Sequence, residues 1–242
     1  MDTYQTPLDA MGVKLVDGWL MIVAGRSNTG KSHFIKWLLS ELRDDLDYGV
    51  VFSNTAFEGS FDYVPPRYVH EDYDEEILRS LIKVQKDMLI RAEAKMAKQV
   101  KKGKIEPGMP NPYKKRAFVL LDDCCSENEF TSPMLKKLAI MGRHYNIVTI
   151  LSTQYIHLIP PTIRANCNYG CFFDVGLGKR EVEATYEWIG GRFKSFGEFK
   201  QFYYANTQDH RFILFHRDHQ EYRVFRAPAD IPKFQLQFRK AM

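Results

Sequence analysis

The chain has 242 residues, a formal net charge of +4, 45% hydrophobic and 26% charged residues, enough to bury the core of one domain of ordinary size. No run of 18 or more apolar residues is present, and Met1-Asp2-Thr3-Tyr4-Gln5 lacks a basic stretch leading into an apolar one, which argues against a membrane span and a secretory signal. The four cysteines, adjacent Cys124 and Cys125 with Cys167 and Cys171, have neither zinc-ligand spacing nor the density of a disulfide framework, and read as reduced thiols of an intracellular protein.

Residues 1–18 read as an irregular or short-strand lead-in. The first core strand is the apolar run 19–24, Trp-Leu-Met-Ile-Val-Ala, and Gly25-Arg26-Ser27-Asn28-Thr29-Gly30-Lys31-Ser32 follows it directly, matching GxxxxGK[ST] at every fixed position. That pattern binds a nucleoside triphosphate: glycines let the backbone wrap with its N–H groups inward, Lys31 reaches the β- and γ-phosphates, and the Ser32 hydroxyl can ligate Mg²⁺. Phe34, Trp37 and Leu38 continue at helical spacing, so a helix is predicted over 31–43, its positive dipole end at the phosphates. A second strand is predicted at 49–53, then a loop with one short edge strand in the aromatic, Pro-containing segment 61–69.

Ile77, Leu81, Val84, Met88, Ala92, Met96 and Val100 recur at steps of three or four, which predicts a long helix over 74–100 with those residues facing the core. Gly103, Pro107, Gly108, Pro110 and Pro112 make 103–112 an exposed loop. Between Arg91 and Arg116 nine basic residues face two acidic ones, and Lys98, Lys101, Lys102, Lys104, Lys114 and Lys115 are candidate contacts to DNA phosphates. The apolar strand 117–121 ends in Asp122-Asp123. A helix capped by Thr131 or Ser132, with Pro133 in its first turn, runs to about Arg143. Strand 147–151 ends in Ser152-Thr153-Gln154. A strand at 170–174, helices at 179–189 and 195–204, and a hairpin of 211–215 with 221–225 complete the chain.

Alternating βα units predict an α/β fold with a mainly parallel sheet between helices. A polar strand tip at Ser152-Thr153-Gln154, between the P-loop strand and the acidic strand, marks a RecA-like P-loop NTPase with an additional strand, order 5-1-4-3-2, and a small C-terminal α+β extension. One domain spans 1–242, with its core at about 19–174 and the extension at about 175–242.

Within that frame, Asp122 fits the Mg²⁺ ligand and Asp123 the group that polarises the attacking water. Many ATPases of this design place Glu where this chain has Asp123, so Glu127 and Glu129 stay open as alternative bases. Gln154 can both donate and accept, which suits a sensor of the γ-phosphate or the water. The chain has no Asn-Lys-x-Asp run for guanine recognition.

Taken together, Gly25 to Ser32, Phe118 to Asp123, Gly142-Arg143-His144, Ser152-Thr153-Gln154 and Pro160-Pro161-Thr162-Ile163-Arg164-Ala165-Asn166 resemble the poxvirus-type genome-packaging ATPases of large DNA viruses and virophages, in the FtsK/HerA group of DNA-pumping motors. The resemblance covers roughly 19–174. It implies ATP and Mg²⁺ as cofactors and a homo-oligomeric ring, pentamer or hexamer, that pumps double-stranded DNA into a preformed capsid. It implies capsid vertex proteins as partners and a place in the infected-cell cytoplasm or virus factory. It also implies an arginine reaching a neighbour's γ-phosphate, with Arg143 and Arg164 as candidates. A helicase or conjugation-type pump, a slow nucleotide-binding assembly scaffold and a P-loop kinase are the competing readings.

Overall fold

The computed structural model describes residues 18–56, 59–124, 127–176 and 178–238; the lead-in predicted over 1–18 lies almost wholly outside them. The first apolar run forms β1 (Leu20–Ala24), buried throughout, and leads through the glycine-bounded loop into α1 (Lys31–Glu41). β2 (Tyr48–Ser53) follows. The edge strand expected in the aromatic segment shrinks to β3 (Val69–His70), preceded by a 3-10 turn over Pro66–Tyr68. α2 (Glu75–Lys101) starts at Asp74, whose carboxylate accepts from the N–H groups of Glu76 at 2.7 Å and Ile77 at 3.2 Å, satisfying donors the first turn leaves orphaned. Then come β4 (Ala117–Asp122) and a short α3 (Glu127–Thr131) that no periodicity announced. α4 (Pro133–Met141) has Ser132 as its cap, as expected, and β5 (Ile147–Thr153) follows it. The chain closes through α5 (Pro161–Arg164), β6 (Tyr169–Phe172), α6 (Lys179–Ile189), α7 (Phe196–Asn206), β7 (Arg211–His216) and β8 (Glu221–Arg226).

All eight strands share one sheet in the order β3-β2-β4-β5-β1-β6-β7-β8. Neighbours from β3 to β6 run parallel; β6, β7 and β8 pair antiparallel. The stretch β6-β1-β5-β4-β2 is the predicted RecA-like order 5-1-4-3-2, with β5 as the additional strand, and the C-terminal hairpin extends the same sheet. Parallel register puts the strand ends on one edge. Ala24 pairs with Thr153, and Asp122 with both Ser53 and Ser152, so the phosphate loop, the acidic pair and Gln154 all leave from that edge, where such sheets bind ligands.

Alternate residues of the central strands feed two apolar layers. Leu20, Ile22, Val119, Leu121 and Leu151 pack with residues of α2, α4, α6 and α7. Met21, Val23, Leu120, Val148 and Ile150 pack with Phe34, Ile35, Trp37 and Leu38 of α1 and with Leu236 of the segment after β8. That segment is held by a hydrogen bond from the Leu236 N–H to the Tyr63 carbonyl at 2.8 Å and by Phe234 packing on Tyr63.

The buried stripe of α2 differs from the expected one. Leu78, Leu81, Ile82, Gln85, Ala92 and Met96 are buried, whereas Val84 is 40% exposed. The helix is turned to admit Gln85, which accepts from the Tyr48 hydroxyl at 2.5 Å and donates to the carbonyls of Lys115 at 2.7 Å and Asn146 at 3.4 Å. One amide thus ties together the entrances of β2, β4 and β5. Cys124, Cys167 and Cys171 are buried, and burial pushes the Cys167 thiol up to about 12; Cys125 lies outside the described residues. No helix among the described residues is long and apolar enough to cross a membrane.

Candidate nucleotide site

The loop after β1 is anchored on both sides. The Gly25 N–H donates to the Thr153 carbonyl at 3.1 Å and the Arg26 N–H to the Asp174 carbonyl at 2.9 Å. A Cβ on Gly25 would lie 2.6 Å from the Phe173 Cβ, so only glycine fits between β5 and the end of β6. Asn28 (φ 60°) and Gly30 (φ 102°) take left-handed backbone, which reverses the chain so that α1 begins at Lys31 with its N–H groups facing the loop. Thr29 fastens the turn by donating to the Arg26 carbonyl at 2.8 Å. The Arg26 guanidinium turns outward to Asp174, 2.7 Å away. Ser32 stands exposed in the first turn of α1.

Lys31 is buried, and its ammonium donates to the carbonyls of Gly25 at 2.9 Å and Arg26 at 3.3 Å. It also lies 3.5 Å from Asp123 Oδ2. Asp123 has φ 48°, a conformation that costs a non-glycine residue of order 1–3 kcal/mol and is held by its surroundings. Its N–H donates to the Ser152 carbonyl at 3.1 Å, and its own carbonyl accepts from the Asn54 amide at 3.2 Å. Gln154 completes the group: its Nε2 donates to Asp123 Oδ2 at 3.2 Å, and its Oε1 accepts from the Ser27 hydroxyl at 3.2 Å. The amide therefore both donates and accepts, linking phosphate loop to acidic strand tip.

Asp122 is buried at the end of β4. Its Oδ2 accepts from the Ser53 hydroxyl at 3.4 Å, while its Oδ1 is buried without a hydrogen-bond partner among the described residues. Burial raises its carboxyl above the usual carboxylate range; the Ser152 hydroxyl opposes this, Asp123 adds to it, and Lys31 and Ser53 oppose it. A carboxylate oxygen left without a partner among hydroxyls is the hard, all-oxygen donor set that suits Mg²⁺.

Not every predicted residue comes to this edge. Arg143 lies exposed in the 3-10 turn Gly142–Tyr145 that enters β5. Arg164, at the end of α5, donates to the Ala184 carbonyl at 3.5 Å. Both precede the strands whose far ends meet the loop, and the seven residues of β5 span about 20 Å. The predicted DNA lysines are at that opposite edge too. Lys98, Lys101, Lys102 and Lys104 are exposed, but Lys114 pairs with Glu93 at 3.1 Å and Lys115 with Asp47 at 2.6 Å. Of the alternative bases, Glu129 is half-buried on α3, and the side chain of Glu127 lies outside the described residues. Asn54 and Asp174 went unnoticed as site residues in the sequence, where Asn54 reads as a turn residue after the strand 49–53 and Asp174 as the last residue of the strand 170–174.

The model of the family described as Poxvirus A32 protein matches residues 14–215. The chain belongs to the Poxvirus A32 protein family. Among relatives of this A32-family chain, uncharacterized protein 075L of Invertebrate iridescent virus 6 is 32% identical over 198 residues, covering 81% of this chain and 69% of that protein. Uncharacterized protein L437 of Acanthamoeba polyphaga mimivirus is 24% identical over 206 residues, covering 83% and 67%. Among solved structures, the genome packaging NTPase B204 from Sulfolobus turreted icosahedral virus 2, in complex with AMPPCP, superposes with a TM-score of 0.60 at 16% identity, covering 89% of this chain and all of that one. The pCW3 conjugation coupling protein TcpA gives 0.56 at 15% identity, covering 89% and 61%. At these identities the two structures speak for the fold alone, a mainly parallel P-loop sheet flanked by helices.

Proposed function

We propose that this chain is an ATP- and Mg²⁺-dependent translocase that packages double-stranded viral DNA into a preformed capsid, acting as one subunit of a homo-oligomeric ring at a capsid vertex in the infected cell. The observation that carries the reading is the meeting of Lys31, Asp123 and Gln154 over the loop 25–32. With ATP present, Lys31 exchanges its two loop carbonyls for the β- and γ-phosphates, and the N–H groups of the loop and of the α1 terminus surround the phosphate chain. Ser32 and Asp122 would hold Mg²⁺, which would supply neutralisation of the phosphate charge. Asp123 accepts the proton of the attacking water, and Gln154 orients that water. The left-handed backbone of Asp123 and its bond to Gln154 keep the short carboxylate above Lys31, which supports Asp123 over Glu129 as the base.

The distant arginines fit action in trans. Arg143 or Arg164, remote from the loop of their own chain, would reach the γ-phosphate of a neighbour, an effect worth about 10³–10⁵ in rate in related phosphoryl transfer. Family membership and the likeness to a genome packaging NTPase support packaging as the task. The likeness to a conjugation coupling protein supports a second reading, a DNA pump serving transfer or replication. Steady-state ATP hydrolysis, measured with and without duplex DNA, tests the proposal: turnover rises with DNA and is lost in Lys31→Ala. Equal turnover in that variant, or none in the wild type, refutes the motor. Dependence on empty capsids separates packaging from the other pump.

A further inference from the structure

The inference concerns what the C-terminal hairpin and the segment after it contribute, and it rests on the triphosphate reading of the loop 25–32. Asp122, Asp123 and Gln154 stand at the tips of β4 and β5, on one side of β1, and fix the γ-phosphate end of the site. A triphosphate laid along the loop therefore directs its ribose and base across β1, toward β6 and β7. On that side, directly beside Gly30, lies a mainly apolar cavity of about 380 Å³ walled by His33, Phe173, His210, Arg226, Ala227 and Ala229, within the size range of small-molecule pockets.

The cavity is continuous with the loop. A Cβ placed on Gly30 would stand 3.5 Å from His210 Nδ1 and 3.6 Å from Phe173 Cε1, so the walls touch the phosphate-binding turn. Its outer wall is fastened, because His33 Nε2 donates to the Pro228 carbonyl at 2.6 Å and so ties the segment after β8 to the start of α1. Its upper wall is strained: Asp209 (φ 55°) and His210 (φ 59°) are consecutive left-handed residues. The Arg211 guanidinium holds that turn, donating to the carbonyls of Ala205 at 3.0 Å and Gln208 at 3.2 Å. Strain of this kind persists where a side chain must be aimed, and here it presents the imidazole of His210 to the cavity.

We propose that this cavity is the nucleobase slot of the site, and that His210 and Arg226 grip the base by stacking their planar groups against its face. Apart from Arg226 the walls are apolar or aromatic, and the His33 donor is already committed to Pro228, so stacking on His210 and Arg226 reads the base's flat face and not its hydrogen-bonding edge. Different nucleoside triphosphates are then accepted with similar affinity. The 175–242 extension thereby acquires a role: it builds the base half of a site whose phosphate half lies in the 19–174 core.

Binding of Mg·ATP and of Mg·tripolyphosphate, measured by calorimetry on the full chain, tests this. His210→Asn keeps a residue that tolerates positive φ, and Ala229→Trp fills the slot. Each should weaken ATP roughly tenfold, as expected for the loss of one base-stacking partner, and leave tripolyphosphate unchanged; GTP and CTP should bind the wild type within about tenfold of ATP. Retained tripolyphosphate binding shows that the variants are folded. Unchanged ATP affinity in both variants, equal weakening of both probes, or strong preference of the wild type for one base overturns the slot. Wild-type protein that binds neither probe overturns the triphosphate site itself, and Lys31→Ala, which should lose both, marks that separate failure.

Discussion

Asp122 sets stability against chemistry within one side chain. It is buried, one of its oxygens has no hydrogen-bond partner among the described residues, and Asp123 lies next to it. In the absence of a cation such a carboxylate is a net cost to the fold. Asp122→Asn removes the charge while keeping size and an acceptor for Ser53. The expected outcome, read by thermal melting in EDTA at pH 7, is a variant at least as stable as the wild type. The difference should close on acidification. Burial raises the folded-state pKa, so the native state holds this proton more tightly than the unfolded chain does, and wild-type stability falls as pH rises through that window. With Mg·ATP the order reverses: the wild type gains melting temperature, and the variant loses about 100-fold or more in turnover. A variant that melts well below the wild type in EDTA would make the carboxylate a structural element instead of a metal ligand.

At the scale of elements, α2 separates what sequence makes legible from what it does not. Its ends were readable because caps act locally: Asp74 starts the helix and Gly103 follows its end. Its buried face was misread because Gln85, a polar residue, counts toward the solvent face in any periodicity of apolar residues, whereas its partners Tyr48, Lys115 and Asn146 come from distant segments. Gln85→Leu should cost about 1–3 kcal/mol, since the buried Tyr48 hydroxyl loses its partner in the core while the Asn146 carbonyl keeps the Ala117 N–H and the Lys115 carbonyl keeps the Asn146 amide, and should lower Tm by about 2–12 °C. Tyr48→Phe in the same chain should recover part of the loss, because the two changes are coupled through one bond. Additive losses would mean that the amide acts alone. The same contrast runs through the candidate nucleotide site. Gly25 to Ser32, Asp122-Asp123 and Gln154 were legible because each sits at a strand tip in a pattern that chemistry dictates. Asn54, Asp174 and His210 were not, since only the tertiary fold brings them to the loop.

For the whole molecule, the two edges of the sheet carry different groups. The phosphate loop and its acidic partners occupy the edge where the parallel strands end. The close of α2, the loop 103–112, Arg143 and Arg164 lie at the edge where those strands begin. Counting basic residues from sequence could not tell which of them are free. In the fold, Lys114 and Lys115 are committed to Glu93 and Asp47, and Lys95 lies 4.0 Å over the Tyr113 ring, so they brace the loop to its own chain. Lys101, Lys102 and Lys104 project without an ion pair among the described residues. Like Lys98, which is also exposed and without an ion pair among the described residues, these three are expected to touch DNA phosphates. Replacing them with alanine should weaken duplex binding by the same factor for unrelated sequences and flatten the slope of log Kobs against log salt, by up to about 0.9 per lost contact. Lys115→Ala should leave that slope intact and act instead on stability, through the Asp47 carboxylate it uncovers at the entrance of β2. Titrations of labelled duplexes at several salt concentrations, paired with melting curves, distinguish the two classes. An unchanged slope in the triple variant assigns the loop to solvent.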